Sequence, residues 1–463
     1  MIFICEIARI YRLSLRTNIH FFFMIAIIGA GISGLSLAYY LQKFNKPYVL
    51  IETTNRVGGY IKSVKEADYL MDTGPNSILC DAATEQLFAE LGISNEAIEA
   101  NDVSKDRYIF KNGRYQALPS GPVSLLTSSF FSFKTKWKIL SELRMKPQAN
   151  AAANETLADF VERHFGKEAV EYALQPFVSG VYAGDCRQLL ANKTFPTLLD
   201  YEKNYGSVLK GFAKNAGAAR RKSMNFKNGM QTLTDALGTK VSSVRLETTV
   251  KNIQAQADGS WQLALQTADG QTSTVVAQKI VVTCPAFAAA SFLQNSLPAL
   301  AKALENVNYP PMAMIHTTYP KESVGFALNG FGGLHPPAEQ LFTAGSLWTS
   351  SVFKGRSPEN HVLFTSFVGG MLAQDKTKFS DEEILRRVDT ELRNLYTIKT
   401  KQPIYQRITR WNKAIPQYDI QLNEVYAQAA EAEKQGVFIC ANWYKGVALS
   451  DCITKARAMA EQF

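Results

Sequence analysis

The amino-acid sequence predicts an α/β protein with a strand, a turn of small residues and a helix N-terminus near each end of the chain. Two observations favour this fold class. A predicted strand, a glycine-rich turn and a predicted helix follow Met24 and lead to a second strand that ends at Glu52. Near the C-terminus, the apolar stretch GVFICA leads through a turn of small residues, Gly446 to Ala448, into another predicted helix. Helix N-termini offer free N–H groups to anionic ligands.

Length and composition indicate a globular protein of two or three domains. The chain has 463 residues, of which 46% are hydrophobic and 20% are charged. The six cysteines are scattered singly and the five histidines form no cluster with metal-ligand spacing, so we expect reduced thiols, no metal site and no hydrolytic chemistry. The net charge of +9 is partly local, but no nucleic-acid motif accompanies the basic stretches, and no nucleic-acid partner is expected.

Residues 1–23 are expected to be an extension that is disordered or reflects a start assigned too far upstream, because Met24 begins the first predicted strand. They lack the cleavage site of a signal peptide. Residues 21–41 carry no charge and are long enough to span a bilayer. The glycines within that stretch favour a nucleotide-binding turn instead.

The glycine-rich turn matches the Rossmann dinucleotide-binding pattern. Gly29 permits the tight turn, Gly31 lets the backbone approach a pyrophosphate, and Gly34 lets the helix lie close to the strand. Glu52 follows Gly34 after 17 intervening residues, at the distance expected for an acidic residue that accepts hydrogen bonds from a ribose. The turn residues expected to bind the cofactor are Gly29, Ala30, Gly31, Ile32, Ser33 and Gly34.

The residues after Glu52 favour FAD over NAD. The stretch ETTNRVGGY resembles the E-x-x-x-R-x-G-G extension of the glutathione-reductase-like flavoproteins. This resemblance implies that Arg56, Gly58, Gly59 and Tyr60 line the FAD diphosphate and ribityl chain. The stretch DTGPNSI, which begins at Asp72, resembles the loop that passes beside the flavin ring in the amine-oxidase-like branch. The loop residues expected to bind the cofactor are Gly74, Pro75, Asn76 and Ser77.

Several motifs in the correct order resemble the protoporphyrinogen oxidases, including the members that oxidise coproporphyrinogen III. The C-terminal stretch NWYKGVALSDCI is similar to the ending of that family. The stretches that also resemble it are SKDRYIFKNGRYQALPSGP, NGMQTLTDAL, VVTCPAFAAA, NGFGGLHP and WNKAIPQY. The resemblance covers the chain from Met24 onwards. Two residues depart from the family pattern: Ala441 replaces a glycine, and Asn76 stands where some members have an arginine.

The resemblance implies a six-electron oxidation of a porphyrinogen in haem biosynthesis, with non-covalent FAD and with O2 as electron acceptor. The flavin N5 atom would receive the hydride, so we identify no catalytic acid or base. Whether the substrate is protoporphyrinogen IX or coproporphyrinogen III stays open. The alternatives are a carotenoid desaturase, an amine oxidase, or a non-catalytic flavin-binding carrier.

The resemblance also implies roles for particular residues. Arg107 stands at the position of the family's propionate-binding arginine, and its planar guanidinium suits a bidentate carboxylate contact. The substrate is also expected to contact Phe331, Gly332, Leu334, Phe367 and Asn76. The remaining cofactor contacts are expected at Val250, Asn442, Val447, Ala448 and Leu449. For Val250, and for Phe367, a plain core position is the alternative.

The domains are predicted as segments of the chain. The FAD-binding domain combines 24–105, 218–296 and 426–463, and 297–425 form a mixed-sheet substrate domain. Residues 106–217 are predicted to be largely helical. The resemblance implies that this part frames the pocket entrance and contacts a membrane, with an ordinary surface helix as the alternative. The expected location is the cytoplasm, peripheral on the inner face of the cell membrane. A monomer or homodimer is expected, with product hand-off to a ferrochelatase or another enzyme of the pathway.

Overall fold

The structure is a computed structural model that describes residues 24–147, 154–215 and 221–463. The predicted extension, residues 1–23, lies outside the described residues. The first element is strand β1 (Ile25–Ile28), followed by helix α1 (Ile32–Lys43) and strand β2 (Tyr48–Ile51). Every residue of both strands is buried, as is typical of parallel strands that helices cover on both faces. This segment continues with β3 (Ser63–Glu66), β4 (Tyr69–Asp72), β5 (Ile78–Cys80), α2 (Ala82–Leu91) and β6 (Ala97–Glu99).

A hairpin and a group of helices come next. The side chains of Ser132, Thr156 and Ser207 each accept a backbone N–H and thereby cap the helix that follows. The elements are β7 (Tyr108–Lys111), β8 (Arg114–Ala117), α3 (Pro122–Thr127), α4 (Phe133–Glu142), α5 (Leu157–Phe165), α6 (Lys167–Ala169), a π-helical stretch (Val170–Leu174), α7 (Gln175–Tyr182), α8 (Ala191–Thr194), α9 (Pro196–Tyr205) and α10 (Val208–Lys214).

A buried ionic network joins the helices of this segment. The ring of His164 is fully buried, with Nδ1 3.0 Å from a Glu142 oxygen and Nε2 3.3 Å from a Glu202 oxygen. Glu142 also accepts hydrogen bonds from Ser207 Oγ and from the N–H of Val208, both at 2.5 Å. The network therefore ties α4, α5 and α9 to the beginning of α10.

The next segment adds strands to the sheet that contains β1 and β2. Strands β11 to β13 form an antiparallel three-stranded sheet. The elements of this segment are β9 (Lys222–Phe226), α11 (Gln231–Lys240), β10 (Val244–Arg245), β11 (Thr248–Ala255), β12 (Trp261–Thr267), β13 (Thr272–Ala277), β14 (Lys279–Val282) and α12 (Ala286–Leu293).

The last part of the chain contributes a second large sheet before it closes the first one. Its elements are α13 (Pro298–Glu305), β15 (Met312–Pro320), β16 (Gly332–Leu334), β17 (Gly345–Leu347), α14 (Thr349–Val352), β18 (His361–Gly369), α15 (Asp381–Leu395), β19 (Tyr405–Trp411), α16 (Gln421–Lys434), β20 (Val437–Ile439) and α17 (Leu449–Gln462).

The nucleotide-binding sheet is parallel and has the strand order β10-β2-β1-β14-β20. Strand β1 lies at its centre, where Ile25 pairs with Tyr48 on one side and with Lys279 on the other. Strand β20 pairs with β14, and helix α17 packs against α1. The beginning and the end of the described chain therefore meet at the carboxyl edge of one sheet, where ligands bind in open α/β sheets.

The second sheet is mixed and has the strand order β19-β15-β18-β17-β16-β7-β8. One face of β15 carries Ala313, Ile315 and Tyr319, which pack in a core cluster with residues of α15. Side chains alternate along a strand, so the opposite face of β15 carries Met314 and His316. Trp411 of β19, which pairs with Met312 on this second face, contacts Tyr60 and Thr73, so this face lies toward the first segment of the chain.

Candidate functional site

Each glycine of the glycine-rich turn has its own structural requirement. Gly29 has a φ of +111°, a conformation that side chains rarely adopt. A Cβ atom on Gly34 would lie 1.9 Å from the carbonyl oxygen of Gly29, so only glycine permits the contact between helix and turn. A Cβ atom on Gly31 would meet nothing within 4 Å. This open space beside Gly31, called the cradle below, is suited to the close approach of a pyrophosphate.

Glu52 lies where β2 ends and faces this turn. Its Oε2 accepts the N–H of Ala30 at 2.7 Å, and its Oε1 accepts the N–H of Thr54 at 2.9 Å and its hydroxyl at 2.8 Å. A carboxylate offers about four lone-pair sites. Glu52 is therefore held in place by the backbone and retains capacity to accept a ribose hydroxyl.

The double glycine after Glu52 lies over the glycine-rich turn. Gly58 donates its N–H to the carbonyl of Ala30 at 2.8 Å, and a Cβ atom on Gly59 would lie 3.2 Å from Gly31 Cα. Arg56 binds its own loop, because its guanidinium donates to the carbonyl oxygens of Val57, Gly59 and Ile61 at 3.0, 2.6 and 3.2 Å. Its role in the structure is to shape the loop that covers the cradle.

The last turn of the chain adds a second helix N-terminus to the cradle. The intrahelical hydrogen bonds of α17 begin with Cys452 N–H to Ala448 O at 3.0 Å, so the preceding N–H groups have no acceptor within the helix. The thiol of Cys452 contacts Ser33 in the first turn of α1. Leu449 packs in the same apolar cluster as Ile32, whereas Val447 packs against the other large cluster and Ala448 is the N-cap of α17. The carbonyl of Asn442 accepts the Tyr418 hydroxyl at 2.7 Å.

The loop from Asp72 to Ser77 is held by a buried polar cluster. Asp72 is 5% exposed and accepts hydrogen bonds from Ser63 Oγ at 2.6 Å, Met230 N at 2.8 Å and Asn225 Nδ2 at 2.8 Å. The same Asn225 amide donates to the carbonyl of Asn76 at 2.7 Å. Arg356, 1% exposed, places Nη1 3.7 Å from Asp72. This cluster fixes the loop between the two domains.

Within this loop, Gly74 and Pro75 precede Asn76. A Cβ atom on Gly74 would lie 2.0 Å from the carbonyl oxygen of Tyr60, so this position requires glycine. The side chain of Asn76 donates to the carbonyl of Gly74 at 3.3 Å. The side chain of Asn76 therefore turns back on its own loop.

Tyr60 and Trp411 connect the cofactor loop to the second sheet. Their rings meet edge to face with centroids 4.9 Å apart, and Trp411 Nε1 donates to the carbonyl of Thr73 at 2.9 Å. Burial raises the pKa of Tyr60, whose protonated hydroxyl donates to the carbonyl of Lys413 at 3.2 Å. The sequence had singled out WNKAIPQY only as a family motif, and this structural role of Trp411 was missed.

Cys284 is a further residue at the cradle that the sequence did not single out. A Cβ atom on Gly29 would lie 3.0 Å from its backbone nitrogen. Burial raises the pKa of the Cys284 thiol to about 12. The thiol therefore stays protonated at neutral pH, and it is not activated as a nucleophile.

The predicted substrate residues lie along neighbouring strands of the second sheet. The guanidinium carbon of Arg107 lies 4.7 Å from the centroid of the Phe331 ring, and Phe331 N–H donates to the carbonyl of Asp106 at 2.8 Å. Phe331 and Phe367 pack in one apolar cluster with Leu347. These contacts bring the arginine and the two aromatic rings together.

Gly332 and Leu334 lie in the adjoining strand β16. A Cβ atom on Gly332 would lie 2.4 Å from the carbonyl oxygen of Ser346, so this glycine allows the close strand pairing. Leu334 belongs to a different apolar cluster and lies against helix α7, where a Cβ atom on Gly180 would be 3.2 Å away. Leu334 therefore connects the sheet to the helical segment.

Val250 lies in β11, close to the end of β2. It pairs with Leu265, and the ladder is interrupted by a bulge between Val250 and Asn252. Its side chain is 5% exposed and packs in the large core cluster. Any cofactor contact at Val250 would come from its backbone.

Comparison with known proteins identifies the protein family of this chain and several of its relatives. The chain belongs to the family of flavin-containing amine oxidoreductases, whose model matches residues 32–462. It is 30% identical to protoporphyrinogen oxidase 2 of Arabidopsis thaliana, over 94% of this chain and 93% of the relative. It is 26% identical to coproporphyrinogen III oxidase of Bacillus subtilis (strain 168), over 94% and 96%. The expected family is confirmed.

A solved structure from Exiguobacterium sp. 255-15, described provisionally as a protoporphyrinogen oxidase, has the same fold. The TM-score is 0.78 at 22% identity, and the match covers 95% of this chain and 98% of that chain. The predicted α/β flavoprotein fold is confirmed. FAD is the cofactor, and the open cradle at Gly31, the carboxylate of Glu52 and the two adjacent helix N-termini are suited to hold it.

Proposed function

We propose that this chain catalyses the FAD-dependent, six-electron oxidation of a porphyrinogen, protoporphyrinogen IX or coproporphyrinogen III, with O2 as electron acceptor, in haem biosynthesis. The observation that carries the proposal is the exposed guanidinium of Arg107 over the Phe331 ring, which packs with Phe367 against one apolar cluster and so forms an apolar wall. A porphyrinogen presents a large apolar ring and carboxylates at its rim. The names of the two relatives support the same substrate class.

The residues of this chain would bind and orient the substrate. The guanidinium of Arg107 would hold a propionate by charge-assisted hydrogen bonds. Phe331 and Phe367 would lie against the ring and exclude water from it. The bound FAD supplies the hydride acceptor, so position is the main contribution of the protein.

Among the described residues of β15, no histidine can donate a proton at neutral pH. His316 shares a face with Met314, which pairs with Phe367. Burial lowers the pKa of His316 to about 3, so the ring is neutral at pH 7. Each two-electron step would remove one hydride, which FAD takes up, and one proton, which leaves to solvent, so the step requires no protonated histidine in this wall.

The direct test incubates the purified holoenzyme with each porphyrinogen, prepared anaerobically, and follows porphyrin fluorescence and O2 consumption after O2 is admitted. Putrescine and cyclohexylamine serve as amine controls. We expect fluorescence with at least one porphyrinogen at three O2 per porphyrin, and no O2 consumption with the amines. A flavin-loaded protein that forms no porphyrin above the uncatalysed rate would contradict the proposal.

We also propose that helices α3 and α4 contact an anionic membrane surface. Phe133, Trp137 and Leu140 lie along one face of α4 and are 78%, 54% and 40% exposed, while Ile139 packs in the core. Val123 and Leu126 of α3 extend this surface and are 75% and 55% exposed. Lysines interrupt the apolar residues of α4, a combination that suits an interfacial helix.

In the described part of the chain, no helix is both long and apolar enough to cross a bilayer. The test is therefore co-sedimentation with vesicles, either anionic or zwitterionic. We expect binding to anionic vesicles that Trp137→Ser together with Phe133→Ser abolishes. Leu372→Ser is the control, because Leu372 is 48% exposed on the substrate domain. Equal sedimentation of the double variant and the wild type would contradict a membrane contact at α4.

A further inference from the structure

We propose that Lys455 is a positioning residue for the flavin: it holds the last turn of the chain in the conformation that presents its N–H groups to the cofactor, and its charge favours the reduced cofactor. Lys455 lies in the second turn of helix α17. Its Nζ donates to the carbonyl oxygens of Ala441 at 2.8 Å and Gly446 at 3.0 Å, and also to that of Tyr444. One side chain therefore binds three carbonyls of a six-residue stretch.

These contacts specify the charged form of the amine. An ammonium group has three N–H donors and no acceptor, whereas a neutral amine has two donors and a lone pair. Three carbonyl oxygens around one nitrogen therefore fit the ammonium. The side chain of Lys455 is partly buried, and this burial lowers its pKa.

The carbonyls gathered on Lys455 orient the rest of the turn. Peptide N–H and C=O groups point in roughly opposite directions, so a turn whose carbonyls face Lys455 directs its N–H groups elsewhere. The hydroxyl of Tyr426 accepts the N–H of Lys445 at 2.8 Å, and the hydroxyl of Tyr418 accepts the N–H of Gly446 at 3.0 Å. The N–H groups that follow, at the beginning of α17, are those beside α1 and the glycine-rich turn.

The charge of Lys455 lies within the same element as these N–H groups. The titratable groups that face it are the thiols of Cys440 and Cys452, the carboxylate of Asp451 and the ammonium of Lys445. Burial raises the pKa of both thiols, so they are neutral at pH 7. The Asp451 carboxylate accepts the N–H of Ala448 at 3.3 Å. The partly buried ammonium of Lys455 and the helix N-terminus act in the same direction, and both favour a cofactor that gains negative charge on reduction.

The inference rests on the flavin site and not on the identity of the substrate, so it is tested without a porphyrinogen. The variant is Lys455→Met, and the control is Arg457→Met, which removes a positive charge from an exposed position of the same helix. The measurements on each holoenzyme are the FAD dissociation constant, by equilibrium dialysis, and the two-electron midpoint potential of the bound flavin, by equilibration with reference dyes.

For Lys455→Met we expect weaker FAD binding, with about a tenfold greater loss of affinity for the reduced form than for the oxidised form. A tenfold difference lowers the midpoint potential by about 30 mV for a two-electron couple. Arg457→Met should leave both quantities near the wild-type values. An unchanged affinity, or an equal loss for both redox forms with no shift in potential, would overturn the proposal.

If Lys455→Met does not accumulate as folded protein, the same two measurements are made on Lys455→Gln. Its amide can donate to two of the three carbonyls but has no charge. We expect this variant to recover part of the FAD affinity while the midpoint potential stays low. A wild-type potential in Lys455→Gln would overturn the role of the charge.

Discussion

The carboxylate of Glu52 accepts the backbone N–H of Ala30 at 2.7 Å. This hydrogen bond joins the end of β2 to the turn between β1 and α1. The acidic residue is thus fixed against the glycine-rich turn by the same backbone that surrounds the cradle. A substitution at Glu52 should change both the ribose contact and the conformation of the turn.

Glu52→Ala should weaken FAD binding by about 10- to 150-fold, because a hydrogen bond to a charged group contributes about 1.5–3 kcal/mol. Glu52→Gln should have a smaller effect, since an amide oxygen can still accept one N–H. The measurement is equilibrium dialysis of FAD, with the exposed Glu322→Gln as the control. Wild-type affinity in Glu52→Ala would remove this residue from the cofactor site.

Two glycines of the same turn should respond differently to alanine. Gly31→Ala should fold with an unchanged melting temperature in the absence of FAD, because its Cβ meets nothing within 4 Å and its φ is −72°. The new methyl would occupy the cradle, so FAD binding should be strongly weakened. Gly34→Ala should instead destabilise the fold, by about 1–3 kcal/mol or more, since its Cβ would lie 1.9 Å from a carbonyl oxygen.

Thermal unfolding and FAD titration of the two variants distinguish these effects. A Gly31→Ala protein that binds FAD as well as the wild type would show that the cradle lies elsewhere. A Gly34→Ala protein as stable as the wild type would show that helix α1 can move away from the turn.

The sequence could predict the elements that local chemistry specifies. The order β1, α1, β2 followed from an apolar run, three spaced glycines and an acidic residue, all within 28 residues that include Glu52. The contact of Arg56 with its own loop could not be predicted, because the resemblance indicates a residue near the cofactor but not which oxygens it binds. The resemblance left the side-chain directions of Asn76 and Arg107 open for the same reason.

The cluster around Asp72 is a second example of this limit. Asp72, Asn225 and Arg356 lie more than 100 residues apart along the chain, and none carries a motif of its own for this contact. Asp72 ends β4, Asn225 lies in β9 and Arg356 lies in the loop before β18, so their proximity results from the packing of three separate segments. Periodicity and turn chemistry report on neighbours in sequence, so they give no information on such a contact.

The ion pair between Glu168 and Lys111 predicts a pH dependence of stability. Burial alone would raise the pKa of Glu168, but hydrogen bonds from Lys111, Thr135 and Ser132 outweigh it and lower this pKa to about 2. A carboxyl whose pKa is lower in the folded state contributes stability above its unfolded pKa. That contribution should be lost as the pH falls from about 4.5 towards about 2.

Glu168→Gln should therefore lower the free energy of unfolding by about 1–2 kcal/mol at pH 7, a value reduced for partial exposure to solvent. The difference from the wild type should shrink when urea unfolding is repeated at pH 3. Glu162→Gln is the matched control, because Glu162 is exposed on a neighbouring helix. A difference that is the same at both pH values would contradict the assigned pKa.

Arg107 gives the sharpest test of the proposed substrate site. If its guanidinium holds a propionate, Arg107→Ala should lower kcat/KM for a porphyrinogen by about 10- to 150-fold, the equivalent of about 1.5–3 kcal/mol. The loss should appear mainly in KM if the contact is equally strong in the ground and transition states. FAD occupancy should not change, because Arg107 lies on the second sheet and not at the cradle.

Arg107→Lys should recover only part of the activity. A lysine keeps the charge but lacks the planar guanidinium that binds a carboxylate through two N–H groups. In the wild type, that guanidinium lies 4.7 Å from the centroid of the Phe331 ring. Arg114→Ala is the control, since Arg114 is an exposed arginine in strand β8 of the same hairpin. The measurement is steady-state porphyrin fluorescence with both porphyrinogens and with flavin content determined for each variant. An Arg107→Ala enzyme with full flavin and unchanged kcat/KM for both substrates would place the propionate contact at another residue.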